Sequence, residues 1–154
     1  MNALSYPPIS ELVPHADGML LLNRVLAHQE THTICETSAN RSPLFANPDG
    51  SVPSWLGIEY MAQCAAVHGE LENRSRGERP RPGLLLGSRR IEFHADVFRA
   101  GDPLEVTARH HMGECGLVAF DCSIRSTSND ETLVEGRVNL YLFRDWSEFS
   151  EVRE

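Results

Sequence analysis

The stretch Pro53-Ser54-Trp55-Leu56-Gly57-Ile58-Glu59-Tyr60-Met61-Ala62-Gln63-Cys64-Ala65-Ala66-Val67-His68-Gly69 constrains the fold of this chain more than any other. Its apolar residues cover almost every face at helical spacing. It therefore reads as a helix over Ser54 to Leu71 that is buried on most sides. One carboxylate, Glu59, interrupts it in the second turn, between Ile58 and Met61. Burying a charge without a partner is strongly unfavourable, so Glu59 is either used in chemistry or satisfied by helix N–H groups. Pro53 suits a helix start and Ser54 an N-cap, which puts the first free N–H groups about one turn from Glu59. A helix N-terminus beside an acid in an apolar enclosure can polarise a carbonyl.

Around this helix the pattern is sheet. Ile9 to Val13 suits a short helical turn capped by Ser10. Met19 to Ala27 and Thr33 to Ala39 read as a hairpin, although propensity alone also allows a helix for the first. Arg41 to Val52 and Glu72 to Pro82 carry the Pro, Gly, Asn and Asp of loops. Leu84 to Val97, Leu104 to Met112, Leu117 to Ser126 and Leu133 to Phe143 read as strands, with turns at 99–102, 112–116 and 128–130. There is no internal repeat, and residues 1–154 read as a single domain whose charged end, 144–154, is expected to fray. One long buried helix between an early hairpin and a late antiparallel meander is an α+β architecture, an antiparallel sheet wrapped around a central helix.

Composition narrows the function. The 154 residues are 41% hydrophobic and 23% charged, enough for a sizeable core, and the net charge of −8 argues against nucleic-acid binding. No apolar run spans a bilayer, and Met1 to Leu12 lacks the basic and apolar regions of a signal peptide, so the expected location is cytoplasmic. Cys35, Cys64, Cys115 and Cys122 have no CxxC spacing and read as reduced thiols. His110 and His111 are neighbours that point opposite ways in a strand, and His28 and His32 flank a strand reversal. No three ligands converge at recognisable spacing, so no metal is expected.

The order of motifs resembles a family. Val13-Pro14-His15 with the strand Met19-Leu20-Leu21-Leu22-Asn23-Arg24-Val25, the helix motif over Pro53 to Gln63, and the run from Gly87-Ser88 to Arg99-Ala100-Gly101-Asp102-Pro103-Leu104 resemble the hotdog-fold acyl carrier protein dehydratases. Among them the ApeP-like 3-hydroxyacyl-ACP dehydratases associated with aryl polyene pathways are the most similar. The resemblance implies a hotdog fold, a homodimer or a heterodimer with a homologous subunit, and carrier-bound thioester substrates without metal or redox cofactor. It carries Glu59 onto the family's catalytic acid and Gln63 onto the glutamine one turn later. Ser54 stands where the family has glycine at the helix start. One departure matters: the family's Gly-His-Phe-Pro segment corresponds to Pro43-Leu44-Phe45-Ala46-Asn47-Pro48-Asp49-Gly50, which has no histidine.

Dehydrating a 3-hydroxyacyl thioester needs a base for the proton beside the carbonyl, an acid for the departing hydroxyl and donors for the enolate-like oxygen. Glu59 serves as the acid if its apolar setting raises its pKa, and the backbone N–H at Ser54 would serve the oxygen. His15 is the best remaining base, its other reading being a structural histidine. Trp55 and Tyr60 line an acyl tunnel or belong to the core or a dimer contact, and Met19 and Met61 carry the same pair of readings. Arg74, Arg76, Arg79 and Arg81 form a basic loop that either docks an acyl carrier protein and its phosphopantetheine phosphate or is a solvated surface. Two further functions stay open: a hotdog thioesterase in which Glu59 activates water, and a catalytically reduced acyl-binding or structural partner of an active dehydratase subunit.

Overall fold

A computed structural model describes residues 5–15 and 17–153. Met1 to Leu4, part of the segment read above for a leader, lie outside the described residues. Elements in chain order are α1 (Ile9–Leu12), β1 (Arg24–His28), β2 (His32–Thr37), β3 (Val52–Pro53), α2 (Gly57–Ser75), β4 (Gly83–Phe93), β5 (Val97–Phe98), β6 (Leu104–Glu114), β7 (Leu117–Ser126), β8 (Thr132–Leu142) and α3 (Trp146–Arg153). Six strands form one antiparallel sheet in the order β1-β2-β6-β7-β8-β4, and β3 pairs with β5 in a second ladder. The sheet wraps α2, which packs chiefly on β6 and β2 and then on β7 and β8. This is the sheet-wrapped central helix expected from the apolar run, and the hotdog arrangement that the resemblance implies.

The helix is buried as its sequence demands. Met61, Cys64, Ala65, Val67 and Leu71 sit in the core, and each large apolar side chain sequestered this way stabilises the fold by about 1.5–3 kcal/mol. Its start differs from expectation. Ser54–Leu56 is a turn of 3-10 helix and the α-helix begins at Gly57, running past Leu71 to Ser75. Glu59 therefore lies in the first α-helical turn. Ser54 makes no side-chain cap, and its N–H donates to the Asp96 carbonyl at 2.9 Å because β3 brings Pro53 against Val97 of β5. Gly57 is needed at this junction: a Cβ there would come within 2.8 Å of Ile124 Cδ1 and 3.0 Å of Phe98 Cζ.

Other boundaries also shift. Pro8, not Ser10, stands at the N-cap of α1. The expected strand Met19 to Ala27 starts in a 3-10 turn at Asp17–Met19 and enters the ladder only at Arg24, since Leu21 gives its N–H to Gln63 Oε1 and its carbonyl accepts from Thr37 Oγ1. β2 ends at Thr37, and the loop after it holds 3-10 turns at Ala39–Arg41 and Pro43–Phe45. The run Leu84 to Val97 is broken after Phe93, and its last residues leave the large sheet to form β5. Within the charged tail, Trp146–Arg153 forms α3, and Asp145 Oδ1 accepts the N–H groups of Ser147 and Glu148 at 2.9 and 3.0 Å and caps it.

Candidate functional site

His15 follows α1 in an irregular segment whose buried anchors are Leu12 and Val13. That segment crosses the first turn of α2, so two residues 44 positions apart meet: His15 Nε2 lies 3.2 Å from Glu59 Oε1. Both side chains are about one-third exposed, while His15 Nδ1 is buried without a partner among the described residues, leaving Nε2 as the nitrogen that faces the acid. Gln63, one turn along α2, donates Nε2–H to Glu59 Oε1 at 2.9 Å.

This setting corrects the expected titration of Glu59. Burial pushes its pKa up, but hydrogen bonds from His15 and Gln63 and the charge on His15 outweigh burial and hold it below the ordinary glutamate range. Glu59 rests as a carboxylate. In this contact His15 Nε2 is the donor and the Glu59 carboxylate the acceptor.

The pair opens into a cavity of about 370 Å³ that runs along α2. Ala62, Ala66 and Gly69 form its helical wall, Leu85, Phe120 and Leu140 its sheet wall, and Arg74 and Arg81 its far end. Trp146, from the tail expected to fray, also lines it. The i, i+4, i+7 spacing of the small residues Ala62, Ala66 and Gly69 is the sequence signal for this wall.

The remaining candidates divide. Tyr60 is fully buried, stacked on Phe98 at 5.5 Å and hydrogen-bonded to Ser42 Oγ at 2.9 Å; it is core and not cavity lining. Trp55 is 58% exposed and meets Phe45 edge-on, outside the cavity. Met19 is 43% exposed and does not line the cavity, and its carbonyl accepts from Gln63 at 2.8 Å. Ser54 is buried with its N–H spent on Asp96, so it is not free to meet a thioester oxygen. Met61 is core. Arg74 pairs with Glu70 and donates to the Glu11 carbonyl, and Arg81 donates to the Phe143 and Leu142 carbonyls. Arg76 pairs with Glu72, and Arg76 and Arg79 are exposed outside the cavity.

Away from the cavity, α2 carries a second polar group that sequence reading passed over. His68 is 3% exposed, and its Nδ1 lies 2.9 Å from Thr33 Oγ1, which in turn meets His28 Nδ1 at 2.7 Å. His28 Nε2 reaches Glu72 Oε1 at 2.9 Å. Burial, with help from the charge of His28, lowers the pKa of His68 to about 4. Among the described residues, Glu92, His94 and Glu135 are a group able to offer a metal three ligand atoms, all mutually within 4.8 Å. All three are exposed, and none lines the cavity.

With the His15–Glu59 pair in place, the sequence family described as ApeP-like, ApeP dehydratase, matches residues 7–151. The chain belongs to the ApeP-like dehydratase family. It is 27% identical to a chain of the dehydratase heterocomplex ApeI:P from Xenorhabdus doucetiae, with a TM-score of 0.86 over 97% of this chain and 100% of that chain. Zebra fish thioesterase superfamily member 2 (17% identity, TM-score 0.62, 85% and 88% covered) shares the fold. So does a hypothetical thioesterase from Streptococcus pneumoniae crystallised with coenzyme A (12%, 0.59, 78% and 84%). No curated protein matches the chain. Among the described residues no helix is long and apolar enough to cross a membrane.

Proposed function

We propose that this ApeP-like chain removes water from a carrier-bound 3-hydroxyacyl thioester, with His15 and Glu59 as the reacting pair. The observation that carries the reading is the 3.2 Å contact of His15 Nε2 with a Glu59 carboxylate at the mouth of an apolar cavity. The roles are reversed from those expected in sequence. Glu59, held ionised, takes the proton from the carbon beside the thioester carbonyl; the protonated His15 gives its Nε2 proton to the departing hydroxyl. The C–O bond breaks, water leaves, a carbon–carbon double bond forms, and transfer of the proton from Glu59 to His15 resets the pair.

An edge strand supports a second subunit as the partner. Among the described residues β4 bonds to β8 on one side only, and Leu84 and Leu86 stand exposed along it. An uncovered apolar edge strand is a template for pairing. A second hotdog subunit seated there would cover it and close the cavity. Arg74 and Arg81 at the far end of the cavity, with Arg76 and Arg79 outside, form the basic surface for an acyl carrier protein and its phosphopantetheine phosphate.

The test is mass spectrometry of 3-hydroxyacyl-ACP incubated with the chain, alone and with a co-expressed homologous subunit. Loss of water supports the reading. Loss of the whole acyl group would replace it with thioester hydrolysis, for which a Glu59 carboxylate is also a suitable water base. No change in either preparation would leave a non-catalytic partner role.

A further inference from the structure

Gln63 is 1% exposed, and its amide is saturated. Oε1 accepts the Leu21 N–H at 3.1 Å, while Nε2 donates to the Met19 carbonyl at 2.8 Å and to Glu59 Oε1 at 2.9 Å. An amide has two N–H protons, and both are used. Its orientation is dictated by its partners, because a backbone N–H only donates and a carbonyl only accepts. Whatever else changes in the site, the group facing Glu59 is a donor. The same side chain spans two segments, α2 and the stretch after His15, and Thr37 Oγ1 of β2 holds that stretch from the other side through the Leu21 carbonyl.

We propose that Gln63 is a positioning residue and not a substrate ligand: it pins the segment bearing His15 to α2 and keeps a donor against Glu59 Oε1. The inference rests on reading His15 and Glu59 as the reacting pair, but its claims about geometry and charge do not require turnover to be read. The charged and titratable groups that share the cavity with Glu59 are His15 and Glu11 from the N-terminal segment, Glu70 and Arg74 from α2, and Arg81 from the loop after it.

Two substitutions separate the roles. Gln63→Met removes donor and acceptor at similar length, leaving Leu21 N–H and Met19 O unpaired. Gln63→Glu keeps an acceptor for Leu21 but sets a carboxyl against Glu59, and it serves where Gln63→Met fails to fold. With the glutamate carboxyls 13C-labelled and Glu59 assigned through Glu59→Gln, NMR titration is expected to place the Glu59 midpoint higher in both variants, because the donor that favours its ionised form is gone. Turnover is expected to lose about 10²-fold in kcat, with KM within about twofold and the acid limb of the pH profile moved up. A raised KM with an unmoved Glu59 titration would overturn the proposal and make Gln63 a substrate ligand. An upward shift of the Glu59 titration in both variants, with a wild type that turns over no thioester, would uphold the positioning role while ending the dehydratase reading.

Discussion

At the scale of single residues, the position of one proton separates the chemistry from its sequence expectation. An apolar helix argued for a protonated Glu59, but the donors supplied by His15 and Gln63 leave it ionised. Glu59→Gln is expected to abolish turnover with thermal stability retained, since the amide keeps the shape and loses the base; a variant with measurable dehydration would remove Glu59 from the mechanism. His15→Ala is expected to cost about 10²-fold or more in kcat. His68 yields a separate prediction about stability. Its folded pKa is depressed to about 4, so the unfolded chain binds a proton that the folded one refuses. The stability due to neutral His68 is complete above the unfolded value of about 6.5 and is lost as pH falls from there toward 4, by at most ~3 kcal/mol. Thermal melts from pH 7 to 4 are expected to fall more steeply for wild type than for His68→Asn, which no longer titrates there; parallel curves would contradict this.

At the scale of elements, the edge strand and the C-terminal helix are the parts whose local chemistry is easiest to break. β4 carries an irregularity between Arg89 and Glu92, where Arg90 adopts φ +53°. It lies over Gly136 of β8, where a Cβ would come within 2.5 Å of Ile91 Cδ1, 2.8 Å of Ile91 Cα and 2.9 Å of the Arg90 carbonyl. Gly136→Ala is therefore expected to destabilise by about 1–3 kcal/mol, read as a lower denaturant midpoint with faster amide exchange on β4. For α3 the relevant residue is Asp145. Asp145→Ala removes both cap bonds, at a cost of about 1 kcal/mol, and is expected to raise exchange in residues 146–151 while the sheet stays protected. That the tail is a helix at all follows from this cap, from the Ser150 Oγ bond to the Trp146 carbonyl and from the Tyr141 hydroxyl bond to Glu148.

For the whole molecule, the unpaired β4 edge dominates. Leu84 and Leu86 are 46% and 53% exposed on an eleven-residue strand, and Leu85 lines the cavity from the same strand. A subunit that covered that edge would also close the cavity. Light scattering on the chain with its homologous partner is expected to show a complex that dissociates when Leu84 and Leu86 are both replaced by lysine, with turnover lost alongside; an intact complex in that variant would place the interface elsewhere.

What the residue order determined by itself was the architecture. The all-round apolar helix needs a sheet on most of its faces, and the alternating runs after Pro82 supply one, so α2, β6, β7 and β8 fall within a few residues of where periodicity puts them. Glu59 stood out for a similarly local reason, as the one charge in an apolar run. Tertiary structure decided everything that depended on where a hydrogen bond ends. Ser54 looked like a cap with a free N–H until a 3-10 turn moved the α-helix start to Gly57 and β5 brought Asp96 to that N–H, and Leu20 to Leu22 looked like strand until Gln63 and Thr37 took the polar groups of Leu21. Periodicity reports which face is buried, whereas partners 42 to 44 residues away determine which donor meets which acceptor, and hence the charge on Glu59.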